Sequence, residues 1–204
     1  MPEMEEGKSL ETRKCLLEAA QQLFAAHGYH GASIRDIVHA CGVSNAALYY
    51  HFGNKQQLYY EVMGKYIATI VERLRDADPG EGTCRSRIVR VALAYAQLIL
   101  ESENVLQTLL HDLAQFDRKE ILSLFPDLSN QIPAAIVAIL ENGIAAGEIR
   151  AVAPFRTGRL ILGMVNAMAV PRLYSEAETA LAEDIDLAMG ILFEGIGVQG
   201  PALP

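Results

Sequence analysis

The chain has no tryptophan and only three cysteines among 204 residues, and its 17 lysines and arginines are outnumbered by 25 acidic side chains. Each shortage excludes something. Three cysteines, an odd number spread over positions 15, 41 and 84, predict no disulfide framework and a reducing compartment. A formal net charge of −8 argues, taken alone, against binding nucleic acid through bulk charge. No uninterrupted apolar run approaches the ~20 residues of a membrane span. The acidic start MPEMEEGKSLETRK lacks the apolar core of a secretory leader. No strand-like run has turn chemistry at both ends, and no internal repeat is found. What is left is an all-α, soluble, cytoplasmic chain with no membrane partner.

Apolar residues make up 51% of the chain, enough for one good core and a small attached domain. The charge is unevenly laid out. Residues 12–60 hold four basic and two acidic side chains, while the residues before and after are net acidic. That one positive segment contains the stretch on which the chain is organised, residues 33–55, SIRDIVHACGVSNAALYYHFGNK. Ser33 precedes the apolar-periodic run Ile34, Ile37, Val38, Cys41 and is followed three residues later by Asp36, the spacing of a helix N-cap with an acidic partner. Gly42 ends that helix, Val43 plugs the corner, and Ser44 caps a second short helix over residues 45–52. Two helices meeting at a tight turn predict a helix-turn-helix, whose second helix can enter a DNA major groove.

At ~100° per residue the second helix sets Asn45, Ala46 and Tyr49 on one side and Ala47, Leu48 and His51 on the other. The outward side offers an amide able to read an adenine edge, a methyl able to meet a thymine methyl, and a hydroxyl able to reach a phosphate. Any αα-corner can share these caps and this glycine, so the pattern by itself leaves a plain structural corner as the alternative.

Residues 12–58 resemble the DNA-binding domain of TetR-family transcriptional regulators nearly throughout. The resemblance is carried by Thr12, Arg13, Leu17, Ala19, Ala20, Leu23, Phe24, Gly28, Tyr29, Ser33, Ile34, Ile37, Ala40, Gly42, Val43, Ser44, Leu48, Tyr49, His51, Phe52, Lys55 and Leu58. It implies a three-helix head on a larger helical body, a homodimer, and a repressor released from DNA by a ligand. It also implies phosphate contacts for Tyr49, His51 and Lys55. The candidate DNA-binding set is Ser33, Arg35, Ser44, Asn45, Ala46, Tyr49, Tyr50, His51 and Lys55. Ala46 and Ala47 stand where many relatives carry glycine or threonine, so no operator sequence carries over.

In chain order, residues 1–9 read as a charged, poorly ordered arm, and Thr12 as the cap of a first helix that buries Leu16, Ala20, Leu23 and Phe24 and closes at Gly28. Asn54 and Gln57 make a second capping-box spacing, starting a long helix to about residue 75. The expected division is a head over 1–54 and a ligand-sensing, dimerising body over 55–204. DADPGEG at 76–82 is a turn. Helices follow over about 85–100, 102–116 and a short piece from 117 to Pro126. Three more are expected over about 129–146, with Pro133 near its start, 154–172 and 178–196. The last helix carries one stripe through Leu181, Ile185, Ala188, Met189, Leu192 and Ile196, with Leu187 and Ile191 on another face. A helix apolar on two faces needs two partners. The second is expected to be another copy, meeting Leu160, Met164, Leu187, Ile191 and Leu192, or else the helix is wholly buried in one subunit.

Polar groups within the apolar body helices, Tyr95, His111, Gln115, Arg159 and Asn166, are candidate effector contacts in a mainly apolar cavity, because burying them is unfavourable unless they are paired or meet a ligand. Each could equally be exposed or satisfied by neighbours. GIGVQG at 195–200 matches the dinucleotide pattern GxGxxG but lacks the strand and helix that pattern needs. GVSNA at 42–46 lacks the last glycine of a nucleophile elbow. His27 with His30, and His39 with Cys41, have no companion ligands at zinc spacing. Cys41 reads as a small core residue before it reads as a redox sensor. No catalytic residues, cofactor or metal are expected. The reading is a homodimeric DNA-binding repressor, meeting a pseudo-palindromic double-stranded operator and a small-molecule effector. A regulator controlled by a protein partner and a helical enzyme with a remnant head are the competing classes.

Overall fold

Helix ends in this chain are written by short polar caps and by glycine. The computed structural model describes residues 2–101, 128–174 and 180–196, and there the regular structure is helical, with no β-strand among the described residues. The elements are α1 (Pro2–Gly31), α2 (Ile34–Ala40), α3 (Asn45–Phe52), α4 (Lys55–Asp76), α5 (Cys84–Glu101), α6 (Leu128–Ala145), α7 (Pro154–Ala169) with a 3-10 turn at Val170–Leu173, and α8 (Leu181–Ile196). The expected all-α class is observed. None of the described helices is long and apolar enough to cross a membrane. The helices expected over 102–116 and from 117 to Pro126 lie outside the described residues.

The described residues separate into two compact units, one through Tyr66 and one from Ile67 onward. In the first, α1, α2 and α3 touch one another in pairs. Leu16, Ala20, Phe24, Ile37, Leu48 and Phe52 are their shared core, all nearly or fully buried. The first turns of α4 add Leu58 and Tyr59 to the buried residues of this unit. The Tyr59 ring meets Phe24 edge-on at 5.0 Å and Tyr29 at 5.0 Å, a geometry that adds an electrostatic preference to area burial. Arg13 of α1 pairs with Glu61 of α4.

Three details depart from the sequence reading. The stretch expected to be a loose arm is helical from Pro2, and Thr12 is no cap: inside α1, its Oγ1 donates to the Lys8 carbonyl at 2.9 Å. Straight-chain residues with good helix propensity outweigh the charge of that stretch. Gly28, with φ 71° and ψ 176°, does break the helical run as expected, although a further helical turn follows to Gly31. The third departure is covalent. Cys15 of α1 and Cys41 at the end of α2 are joined as a disulfide with Cα atoms 5.9 Å apart, which corrects the expectation of none. Parity and spacing carry no information about which helices fold side by side.

In the second unit α7 touches α5, α6 and α8. It approaches α6 where it carries no side chain: a Cβ on Gly158 would stand 3.2 Å from the Pro133 carbonyl oxygen. Gly143 of α6 performs the same service for α5, since a Cβ there would stand 2.6 Å from Cys84 Sγ. Before α5, Asp78 accepts two hydrogen bonds from the Arg87 guanidinium at 2.8 and 2.6 Å. These hold its carboxyl below the ordinary carboxylate range. Gly147, at φ 72°, ends α6 as expected. α7 stops at Ala169 rather than near 172, because Pro171 has no N–H to continue the ladder. Arg172 there donates to the Met168 carbonyl at 2.9 Å and to Asp184 at 2.7 Å.

Candidate nucleic-acid interface

The turn between α2 and α3 is closed entirely by local bonds. Ser33 Oγ accepts the Asp36 N–H at 3.1 Å and donates to Asp36 Oδ2 at 2.6 Å, starting α2. The donated bond is the main reason the Asp36 carboxyl lies below its ordinary range. At the far end the Val43 N–H reaches the Val38 carbonyl at 3.0 Å and the Gly42 N–H reaches the His39 carbonyl at 3.1 Å. This pair of bonds is the Schellman closure, and it places the residue after the cap at positive φ, which Gly42 meets with φ 63°. Ser44 Oγ then accepts the Ala47 N–H at 3.3 Å and launches α3.

α3 sorts its side chains as the wheel required. Leu48 and Phe52 are buried, while Asn45, Ala46, Tyr49 and Tyr50 are exposed, Tyr50 at 81%. An aromatic ring left so bare by the fold is available for something other than folding. Ser33 and Arg35 at the start of α2 and Ser44 before α3 are also exposed. His51 is half-buried, its ring 5.1 Å from that of Tyr50 and 6.3 Å from that of Phe52. His51 thus packs in part, the first half of its divided expectation.

Lys55, the first residue of α4, holds its ammonium 4.5 Å from the centre of the Tyr29 ring. That cation–π contact fixes where the charge stands. Tyr29 thus meets Lys55 across the head, a contact that no sequence signal announces. Arg13 sits 5.0 Å over the Phe52 ring and is ion-paired with Glu61, and Lys14 has Glu18 at 3.8 Å. Two of the head's four cations are thus matched by carboxylates, so the face offers neutral donors more than bulk charge. Those donors are the Tyr49 and Tyr50 hydroxyls, the Asn45 amide and the N–H groups at the start of α3, all suited to phosphates and base edges.

The second unit is less telling. Tyr95 and Asn166 are half-buried and Arg159 is exposed. His111 and Gln115 lie outside the described residues. Among the described residues, a wide-mouthed hollow of about 390 Å³ is lined by Thr83, Arg85, Ser86, Val89, Arg90 and Asp186, with Arg85 already 3.3 Å from Asp186. None of the candidate effector residues lines it. Leu160, Leu187 and Ile191 are 63%, 65% and 62% exposed on α7 and α8, which pack on each other, while Met164 and Leu192 are half-buried. Among the described residues no three His, Cys, Asp or Glu side chains converge to hold a metal ion.

Comparison with known proteins agrees with this geometry. Residues 16–62 match the family described as bacterial regulatory proteins, tetR family. The HTH-type transcriptional repressor AcnR of Corynebacterium efficiens is 35% identical over 69 residues, 34% of this chain and 37% of that protein. At such identities the chain spans about a third of the length of the curated relatives it matches. Among solved structures, the TetR family transcriptional regulator PfmR from Thermus thermophilus superposes with a TM-score of 0.60 at 26% identity, covering 91% of this chain and 99% of that one. The transcriptional regulator FadR from Bacillus subtilis, solved in complex with stearoyl-CoA, gives 0.73 at 18% identity over 90% and 98% of the two chains.

Proposed function

Because the chain belongs to the tetR family of bacterial regulatory proteins, we propose that it is a sequence-specific DNA-binding transcriptional repressor, a homodimer released from its operator by a small, largely apolar ligand. The observation that carries this is the doubly capped turn from Ser33 to Ser44, which presents Asn45, Ala46, Tyr49 and Tyr50 to solvent while Leu48 and Phe52 anchor α3. In this reading residues 1–54 bind DNA and residues 55–204 sense the ligand and dimerise. The protein works in the cytoplasm, where its operator is. It is a regulator and performs no catalysis.

A two-fold dimer presents its heads ~34 to 36 Å apart, or near a multiple of one DNA turn, and selects a pseudo-palindrome. The exposed Leu160, Leu187 and Ile191 support α7 and α8 as the dimer face. α4 is the element through which a ligand acts in this reading: displaced at its sensing end, it changes the spacing of the heads. A hundredfold preference of ligand for the released conformation is ~2.7 kcal/mol per site, and two coupled sites give up to twice that, near the ~5.5 kcal/mol that inverts a two-state equilibrium. The FadR likeness supports a long-chain acyl thioester as the first probe.

The test is a fluorescence-anisotropy titration of DNA selected from a random duplex pool. Lys55→Ala and Tyr49→Phe should weaken selected and random DNA alike, and Lys55→Ala should lower the salt slope by about one. Asn45→Ala should relax sequence preference. Wild-type affinity and selectivity in all three variants would remove the assigned face. If stearoyl-CoA, free fatty acids and other apolar metabolites all fail to release the wild type, control by a protein partner takes the place of ligand release.

A further inference from the structure

The bond between Cys15 and Cys41 has a particular position. Cys41 is the C-cap of α2, so it immediately precedes Gly42, Val43 and Ser44, the residues that aim α3. Cys15 is on α1, and the bond ties that helix to the near end of the turn. The head does not need this tie to hold together, because Leu16, Ala20, Phe24, Ile37, Leu48 and Phe52 already make a core. Both cysteines are half-buried, within reach of small reagents. The third cysteine is different in kind. Cys84 is buried, donates to the Ile139 carbonyl oxygen, and is pushed up to about 11 by burial and by the nearby Glu148 carboxylate, so it is an inert thiol at neutral pH. A protein that works on DNA in the cytoplasm sits where thiols are kept reduced, and a disulfide there is usually transient and redox-sensing.

We propose that Cys15 and Cys41 are a reversible thiol–disulfide switch in the DNA-binding head, closed by hydroperoxides and reopened by dithiols, whose closed form fixes the turn in its DNA-reading geometry. The proposal rests on the DNA-binding reading above. Closure runs in two steps. The thiolate sulfur of one cysteine attacks the hydroperoxide, the O–O bond breaks, an alcohol leaves (water, if the oxidant is hydrogen peroxide), and that cysteine becomes a sulfenic acid. The second thiol then attacks the sulfenic sulfur and expels water. Two thiols and one hydroperoxide give one disulfide, one alcohol and one water, the two electrons passing from sulfur to the O–O bond. Reopening is disulfide exchange: one thiol of the dithiol attacks, its partner resolves the mixed disulfide, and the reductant departs oxidised.

Closure should favour DNA binding. The disulfide-bonded head carries both serine caps formed and the reading residues exposed. Opening the bond frees the end of α2 to shift against α1, and the entropy of fixing it again is then charged to DNA binding.

The experiment takes the full-length protein, reduces it with dithiothreitol, and treats half with hydrogen peroxide. Native alkylation followed by peptide mass spectrometry reports the thiols, and anisotropy reports affinity for the selected DNA. Reduced protein should alkylate at Cys15 and Cys41 and leave Cys84 unlabelled. Peroxide should protect both and yield a linked peptide pair lighter by two hydrogens. The closed form should bind DNA about fivefold or more tightly than the open form, and dithiothreitol should reverse the gain. Cys15→Ser and Cys41→Ser, each small and unlinked, should bind like reduced wild type and ignore peroxide. The switch is overturned if peroxide forms no Cys15–Cys41 link, or if the link forms and affinity stays within twofold. If neither redox form binds DNA, the DNA-binding reading itself falls, and the linked-peptide measurement still decides whether the thiol pair closes.

Discussion

Replacing Ile191 by aspartate is the sharpest test of assembly. Ile191, Leu187 and Leu160 are each a little over six-tenths exposed in the single chain. Full burial of such a side chain contributes ~1.5–3 kcal/mol, so covering what is exposed contributes ~1–2 kcal/mol each. Two-fold symmetry counts every residue twice, giving ~6–12 kcal/mol of gross apolar gain, comparable with the ~4–15 kcal/mol that association costs in lost freedom. Rim contacts then decide the net affinity. Ile191→Asp removes two of the six contributions, ~2–4 kcal/mol, and places two carboxylates at the seam, at several kcal/mol more unless solvent reaches them. A loss of at least ~4 kcal/mol is about a thousandfold in dimer dissociation constant, moving a micromolar dimer to the millimolar range. Sedimentation velocity at micromolar concentration should show wild-type dimer and variant monomer. Far-UV circular dichroism of the variant should remain helical, because Ile191 lies outside its own subunit's core. Leu192→Asp is the contrasting control: half-buried, it should disturb the fold as well. An Ile191→Asp protein that sediments as a dimer would refute the assigned face. A wild-type monomer that binds operator tightly would refute the dimer itself.

Two further predictions concern the body's stability. Asp78→Asn should lower stability at pH 7 by about 1.5–3 kcal/mol in urea titration, since it breaks a charge-assisted pair that is mostly shielded from solvent. In the wild type the Asp78 carboxyl is depressed below its unfolded value of 3.8. Its contribution is therefore complete above that value and is lost as the pH falls through the lower folded one, so the variant should show a flatter acid limb, and an identical limb would remove the pair as a stabiliser. Gly143→Ala should lower the melting temperature by an amount equal to about 1–3 kcal/mol, because the added methyl would stand 2.6 Å from Cys84 Sγ and 2.7 Å from its Cβ, and an unchanged melt would show that α5 and α6 separate freely.

What was legible in the sequence was local. The helix-turn-helix was readable to the residue because Ser33, Gly42, Ser44 and Asn54 act through bonds spanning a few positions, and Asn54 Oδ1 does accept the Gln57 N–H at 2.7 Å. The two-faced character of the last helix was also legible, with Ile185, Ala188 and Met189 buried and Leu187 and Ile191 bare. What escaped depends on chain segments meeting across many residues. The Cys15–Cys41 bond spans 26 positions. Nothing near Tyr29 in sequence announces Lys55 above its ring. The effector residues had the same weakness: a polar side chain in an apolar helix is equally compatible with solvent, a neighbour or a ligand, and Arg159 turned out exposed.

The aromatic cluster has a consequence for anyone wishing to graft this head onto a foreign sensor. Tyr59 is 2% exposed and its ring closes over Phe24 and Tyr29, and Glu61 answers Arg13. A chimaera joined just after Asn54 would discard the lid and the counter-charge, inheriting a reading helix without the underside that seats it. A portable module has to run at least through Tyr66, where the first compact unit reaches into α4. A transplanted head should therefore carry α4's opening turns with it, so the unit that can be moved is longer than the helix-turn-helix alone.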